Sequence, residues 1–132
     1  MFLIDSSVWI EYLRPRGSGK VKDRLREILQ REEAVSCGIV VVEILRGAKS
    51  ERDFQSLHDS LISLPQIPID DAVIERASSW GFLLDRKGKM VSTTDLLIAA
   101  AAYKKGKLLH LDHDFEIISS VVDLEEERIE PR

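Results

Sequence analysis

Two hydrophobic patterns alternate along the chain. Short, continuous apolar runs bounded by turn residues are typical of strands that are covered on both faces, whereas apolar residues at every third or fourth position indicate helices with one buried face. The first pattern predicts strands at residues 1–4, 34–38, 66–69 and 107–111. The second pattern predicts helices at residues 8–13, 21–31, 51–64, 71–86 and 93–103.

Residues 39–48 carry both signals. The run Ile39-Val40-Val41-Val42 favours a strand because its side chains are β-branched, but Glu43 at the centre and Gly47 near the end suit a buried helix. We predict a helix here. The acidic tail after Leu124 indicates a solvated chain end that carries at most a short edge strand around Ile129.

The alternation of strands and helices predicts the α/β class, with helices layered on a mostly parallel sheet. A chain of 132 residues with 44% hydrophobic content is long enough for one domain with its own core and too short for two ordinary ones. We therefore expect a single domain that covers residues 1–132.

Composition limits the possible partners and cellular location of the protein more than it limits its chemistry. The net charge of -4 does not indicate a polyanionic partner, so any contact with nucleic acid must come from local basic patches. The single cysteine, Cys37, excludes an intramolecular disulfide and a multi-thiolate metal site. No stretch resembles a signal peptide or reaches the roughly 20 apolar residues of a membrane span, so we expect a soluble, cytoplasmic protein without a membrane partner.

The candidate chemistry lies in acids that follow or interrupt apolar sequence. They are Asp5, Glu43, Asp95 and Asp112, with Asp114 close behind. Asp5 and Asp112 each end an apolar strand, and ligands of parallel sheets bind beyond the carboxyl ends of the strands. Glu43 and Asp95 lie in helices whose apolar patterns predict burial.

Each acid also has a purely structural explanation. Asp5 or Ser6 could cap the first helix, and Asp95 could sit in a first turn that Thr93 or Thr94 caps, where the helix dipole favours negative charge.

The other acids have similar alternatives. Glu43 could form an ion pair with Arg46 one turn later on the same helix. Asp112, His113 and Asp114 could be ordinary loop and cap residues.

Considered jointly, the acids favour a metal site. Carboxylates gathered at one edge of a sheet repel one another and raise one another's pKa values unless a divalent cation compensates their charge. Oxygen ligands without a cysteine set point to Mg²⁺ or Mn²⁺ rather than Zn²⁺. Such a site suits hydrolysis of phosphodiester bonds by metal-activated water.

Four segments carry a family resemblance, in the right order and spacing over essentially the whole chain. They are "FLIDSSVWIEYL", "VVVEILRGA", "TTDLLIAAAAYKKG" and "LLHLDHDFEII". In these segments the chain resembles the PIN-domain ribonucleases, and among them the VapC-type toxins of toxin-antitoxin pairs. The resemblance implies a PIN-like three-layer α/β/α fold.

The resemblance also implies roles for particular residues. It assigns the acidic metal site to Asp5, Glu43, Asp95 and Asp112. Asp114 would be an accessory or water-mediated ligand, and Ser7 or Thr94 would supply a helping hydroxyl. His110 stands where such toxins often carry threonine, and a strand histidine packed in the core is the favoured interpretation of it.

The implied activity is metal-dependent endoribonucleolytic cleavage of single-stranded or loop RNA. Basic residues would hold the RNA backbone, and the candidates are Arg14, Arg16, Lys20, Arg46, Lys49, Arg86, Lys87 and Lys89. The resemblance further implies homodimerisation and a cognate antitoxin that wraps the apolar helices and places a basic side chain in the acidic pocket. The alternative is a non-catalytic PIN scaffold that binds RNA or protein.

Overall fold

The computed structural model describes residues 1–132, which form seven helices and five strands. The strands are β1 (Phe2–Ile4), β2 (Ala34–Cys37), β3 (Gln66–Ile67), β4 (Lys107–His110) and β5 (Glu126–Arg128). The helices are α1 (Ser6–Leu13), α2 (Gly19–Gln30), α3 (Gly38–Leu45), α4 (Glu51–Ile62), α5 (Asp71–Arg86), α6 (Thr93–Ala102) and α7 (His113–Ser119).

The strands form one sheet in the order β3-β2-β1-β4-β5, and every pair of neighbours is parallel. Each connection between strands contains at least one helix, as a parallel sheet requires. Leu3 and Ile4 on the central strand β1 point to opposite faces, and both are fully buried. Helices therefore cover both faces, which confirms the predicted α/β/α layering with a sheet that is parallel throughout.

The core centres on β1, β4 and α6. Thirty buried hydrophobic residues form one cluster around these elements. In α6 the run Ala99–Ala102 is buried completely or almost so, because α5 packs closely against this helix. The small side chains allow the close packing, and α6 is the buried central helix that its apolar sequence predicted.

The predicted elements differ from the structure at a few boundaries. Residues 38–45 are helical, which confirms the choice made for the ambiguous segment. Helix α1 begins at Ser6 rather than Val8, and β5 ends just before Ile129. Helix α7 follows β4 after a turn of two residues and was not predicted, because its seven residues are too few for a helical pattern to stand out. None of the helices combines the length and apolar character needed to cross a membrane.

Candidate metal centre

The acids meet at the carboxyl edge of the parallel sheet. Asp5 follows β1 directly, and Asp112 lies two residues beyond the end of β4. The first turn of α6 carries Asp95, and the first turn of α7 carries Asp114. Glu43 projects from α3, the helix that leaves β2. This edge is where parallel α/β sheets bind their ligands.

Three of these acids form a tight group, which we call the acidic triad: Asp95, Asp112 and Asp114. One carboxylate oxygen from each lies within 4.8 Å of the others. Asp112 caps α7, since its Oδ1 accepts a hydrogen bond from the Asp114 amide at 3.0 Å. Asp114 Oδ2 in turn accepts from the Ser92 amide at 3.3 Å. The cap explanation for Asp112 is therefore correct, but the same cap turns its carboxylate towards the other two acids.

Asp95 is the acid whose ionisation the site disfavours most. Partial burial, a hydrogen bond shared with Asp114 and the charges of Asp5 and Asp112 raise its pKa to about 8. Ser92 caps α6 by accepting from the Asp95 amide at 3.1 Å, so the predicted cap by Thr93 or Thr94 is wrong. Ser92 was overlooked because the two threonines that follow it are chemically equivalent candidates.

Asp5 lies behind the triad and is 4% exposed. Its Oδ2 accepts from the Ser7 amide at 3.1 Å and from the Ser7 hydroxyl at 2.5 Å, so Asp5 does cap α1. Burial raises the pKa of Asp5, although the two bonds from Ser7 oppose this increase. The Ser7 hydroxyl also accepts from the Leu111 amide at 3.2 Å, which ties the ends of β1 and β4 together.

Glu43 stands beside Asp5, and we call Asp5 and Glu43 the inner pair. Glu43 Oε1 accepts from the Ser6 hydroxyl at 3.0 Å. Burial and the charge of Asp5 raise the pKa of Glu43, while Arg46 opposes the increase without forming a direct ion pair. Ser6 was not given this role from the sequence, since only the folded chain brings residues 6 and 43 together.

The inner pair lies outside the 4.8 Å group, so the structure separates the predicted acids into two sets. The two sets are still linked electrostatically, because the charge of Asp5 contributes to the raised pKa values of Asp95 and Glu43. Of the two predicted hydroxyl helpers, Ser7 bonds to Asp5, whereas the Thr94 hydroxyl forms no hydrogen bond. His110 is fully buried against Phe115, as expected for a core histidine.

The donor set fits a hard divalent cation. All the candidate ligands are carboxylate oxygens, which Mg²⁺ and Mn²⁺ prefer, and no sulfur or imidazole belongs to the triad. Burial, the hydrogen bond shared with Asp114 and the charges of Asp5 and Asp112 together favour a proton on Asp95, whose pKa is raised to about 8. A cation between the three carboxylates would replace that proton.

Basic residues lie on two sides of these acids. Lys87 and Lys89 line an open hollow next to Ser120, at the far end of α7 from the triad. On the other side, Arg14 and Lys49 line a groove of about 530 Å³ that also includes Glu43.

The remaining predicted basic residues are arranged differently. Lys20 donates to the Arg132 carbonyl at 2.7 Å, and the Arg86 guanidinium stacks over Phe82. Arg16 and Arg46 are exposed and form no ion pair.

Comparison with known proteins agrees with the fold and the sequence motifs. Residues 2–120 match the PIN domain. The chain is 35% identical over 130 residues to VapC ribonuclease Mb1587 of Mycobacterium bovis and, with the same identity, to Ribonuclease VapC11 of Mycobacterium tuberculosis; each alignment covers 95% of this chain and 96% of the relative.

A solved structure shows the same architecture. The structure of VapBC2 from Rickettsia felis, bound to a DNA fragment from their promoter, superimposes with a TM-score of 0.79 at 18% identity and covers 98% of both chains. At that identity the superposition establishes the fold alone, while the domain match and the 35% identical relatives establish the family. The chain therefore belongs to the PIN-domain family, within its VapC group.

Proposed function

We propose that the protein is a metal-dependent endoribonuclease and the toxin of a VapBC-type toxin-antitoxin pair. The observation that carries the proposal is the acidic triad, three carboxylates within 4.8 Å at the carboxyl edge of the sheet, with Asp5 buried behind it. The relatives with 35% identity are named ribonucleases and align over nearly the whole chain, which supports RNA as the substrate.

In the proposed mechanism Asp95, Asp112 and Asp114 would hold Mg²⁺ or Mn²⁺, and Asp5 would add negative charge from behind. When bound, the ion would lower the pKa of a water molecule and stabilise negative charge on the phosphate. Glu43 is the candidate proton acceptor, since its raised pKa brings it closer to the pH at which a general base works best. The Ser6 hydroxyl fixes the direction of that carboxylate.

The basic residues on both sides would hold the RNA backbone. Lys87 and Lys89 would bind phosphates on the α7 side, and Arg14 and Lys49 would bind them on the Glu43 side. Contacts to phosphate position a substrate without reading its sequence, so these residues do not define the target. Their local charge is needed because the net charge of the whole chain is -4.

A cognate antitoxin would cover the groove next to Glu43. This groove runs between α1, α3 and α4, and its apolar lining includes Ile10, Leu13 and Leu57. The half-buried apolar surface continues past Leu13 and Leu57 to Trp9, whose indole N–H is buried without a partner. An amphipathic antitoxin segment would bury these side chains and bring a basic residue towards the acids.

We also propose that the protein acts as a homodimer in the cytoplasm. Helix α5 presents Ile74 and Phe82 to solvent, with exposed fractions of 47% and 63%, and Met90 follows in the next loop. Exposed apolar side chains on one helix are typical of a surface that another chain covers. Sedimentation or light scattering of the purified protein would test the dimer.

The test of function is cleavage of a structured RNA by the purified protein with Mg²⁺ or Mn²⁺ and, in parallel, with EDTA. We expect cleavage by the wild type with metal, none with EDTA, and loss of cleavage in Asp95→Asn. Asp71→Asn is the matched control, because Asp71 lies in the first turn of α5 as Asp95 lies in the first turn of α6. A wild type that binds RNA or a protein partner with metal present but never cleaves would favour the non-catalytic scaffold.

A further inference from the structure

His110 links the edge strand of the sheet to the turn that carries Asp112. It is the last residue of β4 and is fully buried. Its Nδ1 lies 3.1 Å from the Asp112 amide nitrogen, and its Nε2 lies 2.8 Å from Glu126 Oε1. Both ring nitrogens are therefore engaged, although His110 contributes no atom to the triad.

The geometry defines which nitrogen of the His110 ring carries a proton. A backbone N–H can only donate, so Nδ1 of His110 must accept from Asp112 and carries no proton. The proton of the neutral ring is then on Nε2, which donates to the Glu126 carboxylate. Hydrogen bonds thus run in one direction, from the Asp112 amide to His110 and from His110 to Glu126.

The turn after β4 depends on such side-chain acceptors. The amides of Leu111 and Asp112 donate to no backbone carbonyl; the first donates to the Ser7 hydroxyl and the second to His110. Asp112 then caps α7 through its own side chain. Side chains therefore hold the backbone from which the Asp112 carboxylate projects, and His110 is the acceptor for the Asp112 amide itself.

Strand β5 supplies the residues that contact His110 and α7. Glu126 pairs with Leu108 in the parallel register, so it lies on the same face as His110, two residues further along β4. Arg128, two residues further along β5, donates to Glu116 of α7 at 3.0 Å. The edge strand therefore contacts both the turn that carries Asp112 and the helix that follows it.

We propose that His110 and Glu126 are positioning residues that orient Asp112 as a metal ligand. This inference rests on the proposed function, in which the acidic triad binds a divalent cation. Glu126 keeps the proton of His110 on Nε2, and the free Nδ1 then holds the Asp112 amide. Outer partners of metal ligands typically change affinity by about 10- to 100-fold when they are replaced.

Two isosteric substitutions separate the two bonds of His110. In His110→Asn the side-chain oxygen falls near the position of Nδ1 and can still accept from Asp112, but the amide cannot reach Glu126. In His110→Gln the side-chain nitrogen falls near the position of Nε2 and can still donate to Glu126, but the acceptor for Asp112 is lost. Glu126→Gln, on the half-buried edge strand, removes the carboxylate and changes no residue of the hydrophobic core.

The experiment is calorimetric titration of the metal-free full-length protein with Mn²⁺, together with a thermal unfolding curve for each variant. We expect His110→Gln to bind Mn²⁺ about 10- to 100-fold more weakly than the wild type, and His110→Asn to remain within about 5-fold of it. Glu126→Gln should fall between the two. The two His110 variants should have similar unfolding midpoints, so that the difference in affinity is not a difference in folding.

Equal Mn²⁺ affinity in the wild type, His110→Gln and Glu126→Gln would overturn the proposal. Parallel losses of affinity and stability in both His110 variants would also overturn it, since they would indicate a purely structural role. Asp112→Asn distinguishes these results from failure of the proposed function. If the wild type binds no Mn²⁺, or if Asp112→Asn binds it unchanged, then the metal site itself is wrong and the positioning role fails with it.

Discussion

The inner pair and the acidic triad hold their carboxylates by different means. Asp5 and Glu43 each accept a hydrogen bond from a serine hydroxyl next to the end of β1; Asp5 is buried, and Glu43 is half-buried at the groove. The triad lies at the starts of two helices, is accessible to solvent, and contains carboxylates that contact one another. The fold's own hydrogen bonds therefore hold the inner pair, whereas the triad, whose carboxylates lie close together, is the proposed cation site.

The largest expected effect is loss of cleavage when the inner pair loses a charge. Asp5→Asn should reduce the single-turnover cleavage rate about 1000-fold, because electrostatic stabilisation at a metal site contributes several kcal/mol. The fold should survive, since asparagine caps a helix as well as aspartate and avoids the burial of a charge. Rates and urea unfolding curves, with Asp71→Asn as the control, would check both parts. A variant that keeps more than a tenth of the activity would contradict this role of Asp5.

The next effect concerns the triad and its cation. Mn²⁺ at about 100 times its dissociation constant should raise the free energy of unfolding of the wild type by about 2.7 kcal/mol. The double variant Asp95→Asn/Asp114→Asn should lose most of this increase because two of the three ligands are gone. Urea unfolding with and without Mn²⁺ measures the difference. An unchanged increase in the double variant would place the cation elsewhere.

Smaller effects are expected from replacing the serine that bonds to the inner pair and the serine that caps the helix of the triad. Ser6→Ala should reduce cleavage about 10-fold by releasing the Glu43 carboxylate, with little change in stability. Ser92→Ala should instead lower the free energy of unfolding by about 1 kcal/mol, because it removes the cap of α6. Cleavage rates and urea unfolding curves of both variants would test the contrast. A loss of stability in Ser6→Ala together with a loss of cleavage alone in Ser92→Ala would contradict these roles.

The smallest effect is the pH dependence of the metal-free protein. The pKa of Asp95 is about 8 in the folded chain against 3.8 for an unperturbed aspartate, so between these values the folded state binds the additional proton. The free energy of unfolding should therefore fall as the pH rises from about 4 to about 8 and level off above it. Solvent screening limits the Asp95 contribution to the order of 1 kcal/mol.

Asp5 and Glu43 act in the same direction, since burial raises their pKa values too. The Asp95 part is isolated by comparing urea unfolding at pH 5 and pH 8 in EDTA for the wild type and Asp95→Asn. The variant should lose less stability than the wild type over this interval. Equal losses in the two proteins would show that Asp95 ionises normally.

The sequence predicts the acids at the strand ends better than the hydrogen bonds that hold them in place. The apolar strands that end in Asp5 and near Asp112 were recognisable because parallel strands deliver their carboxyl ends to one edge. The bond between Ser6 and Glu43 joins residues 37 positions apart, and the bond between Ser7 and Leu111 joins residues 104 apart. No local pattern encodes such pairs, since the sheet order decides which residues meet.

The same reasoning explains the other errors. Ser92, Thr93 and Thr94 are equivalent as caps until the backbone selects one, and only the fold selects Ser92. The division of the acids into two sets could not be predicted from the sequence either, because it depends on distances of a few ångströms between different elements. Similarly, Glu126 looked like part of a solvated tail until β5 placed it beside His110.

The most direct test is the anomalous difference map of a crystal grown with Mn²⁺. A peak bounded by the carboxylates of Asp95, Asp112 and Asp114, with Asp5 behind them, is the expected result. It would show that these three carboxylates hold the cation. No peak at saturating Mn²⁺, or a peak away from these three carboxylates, would contradict the metal centre and the mechanism that depends on it.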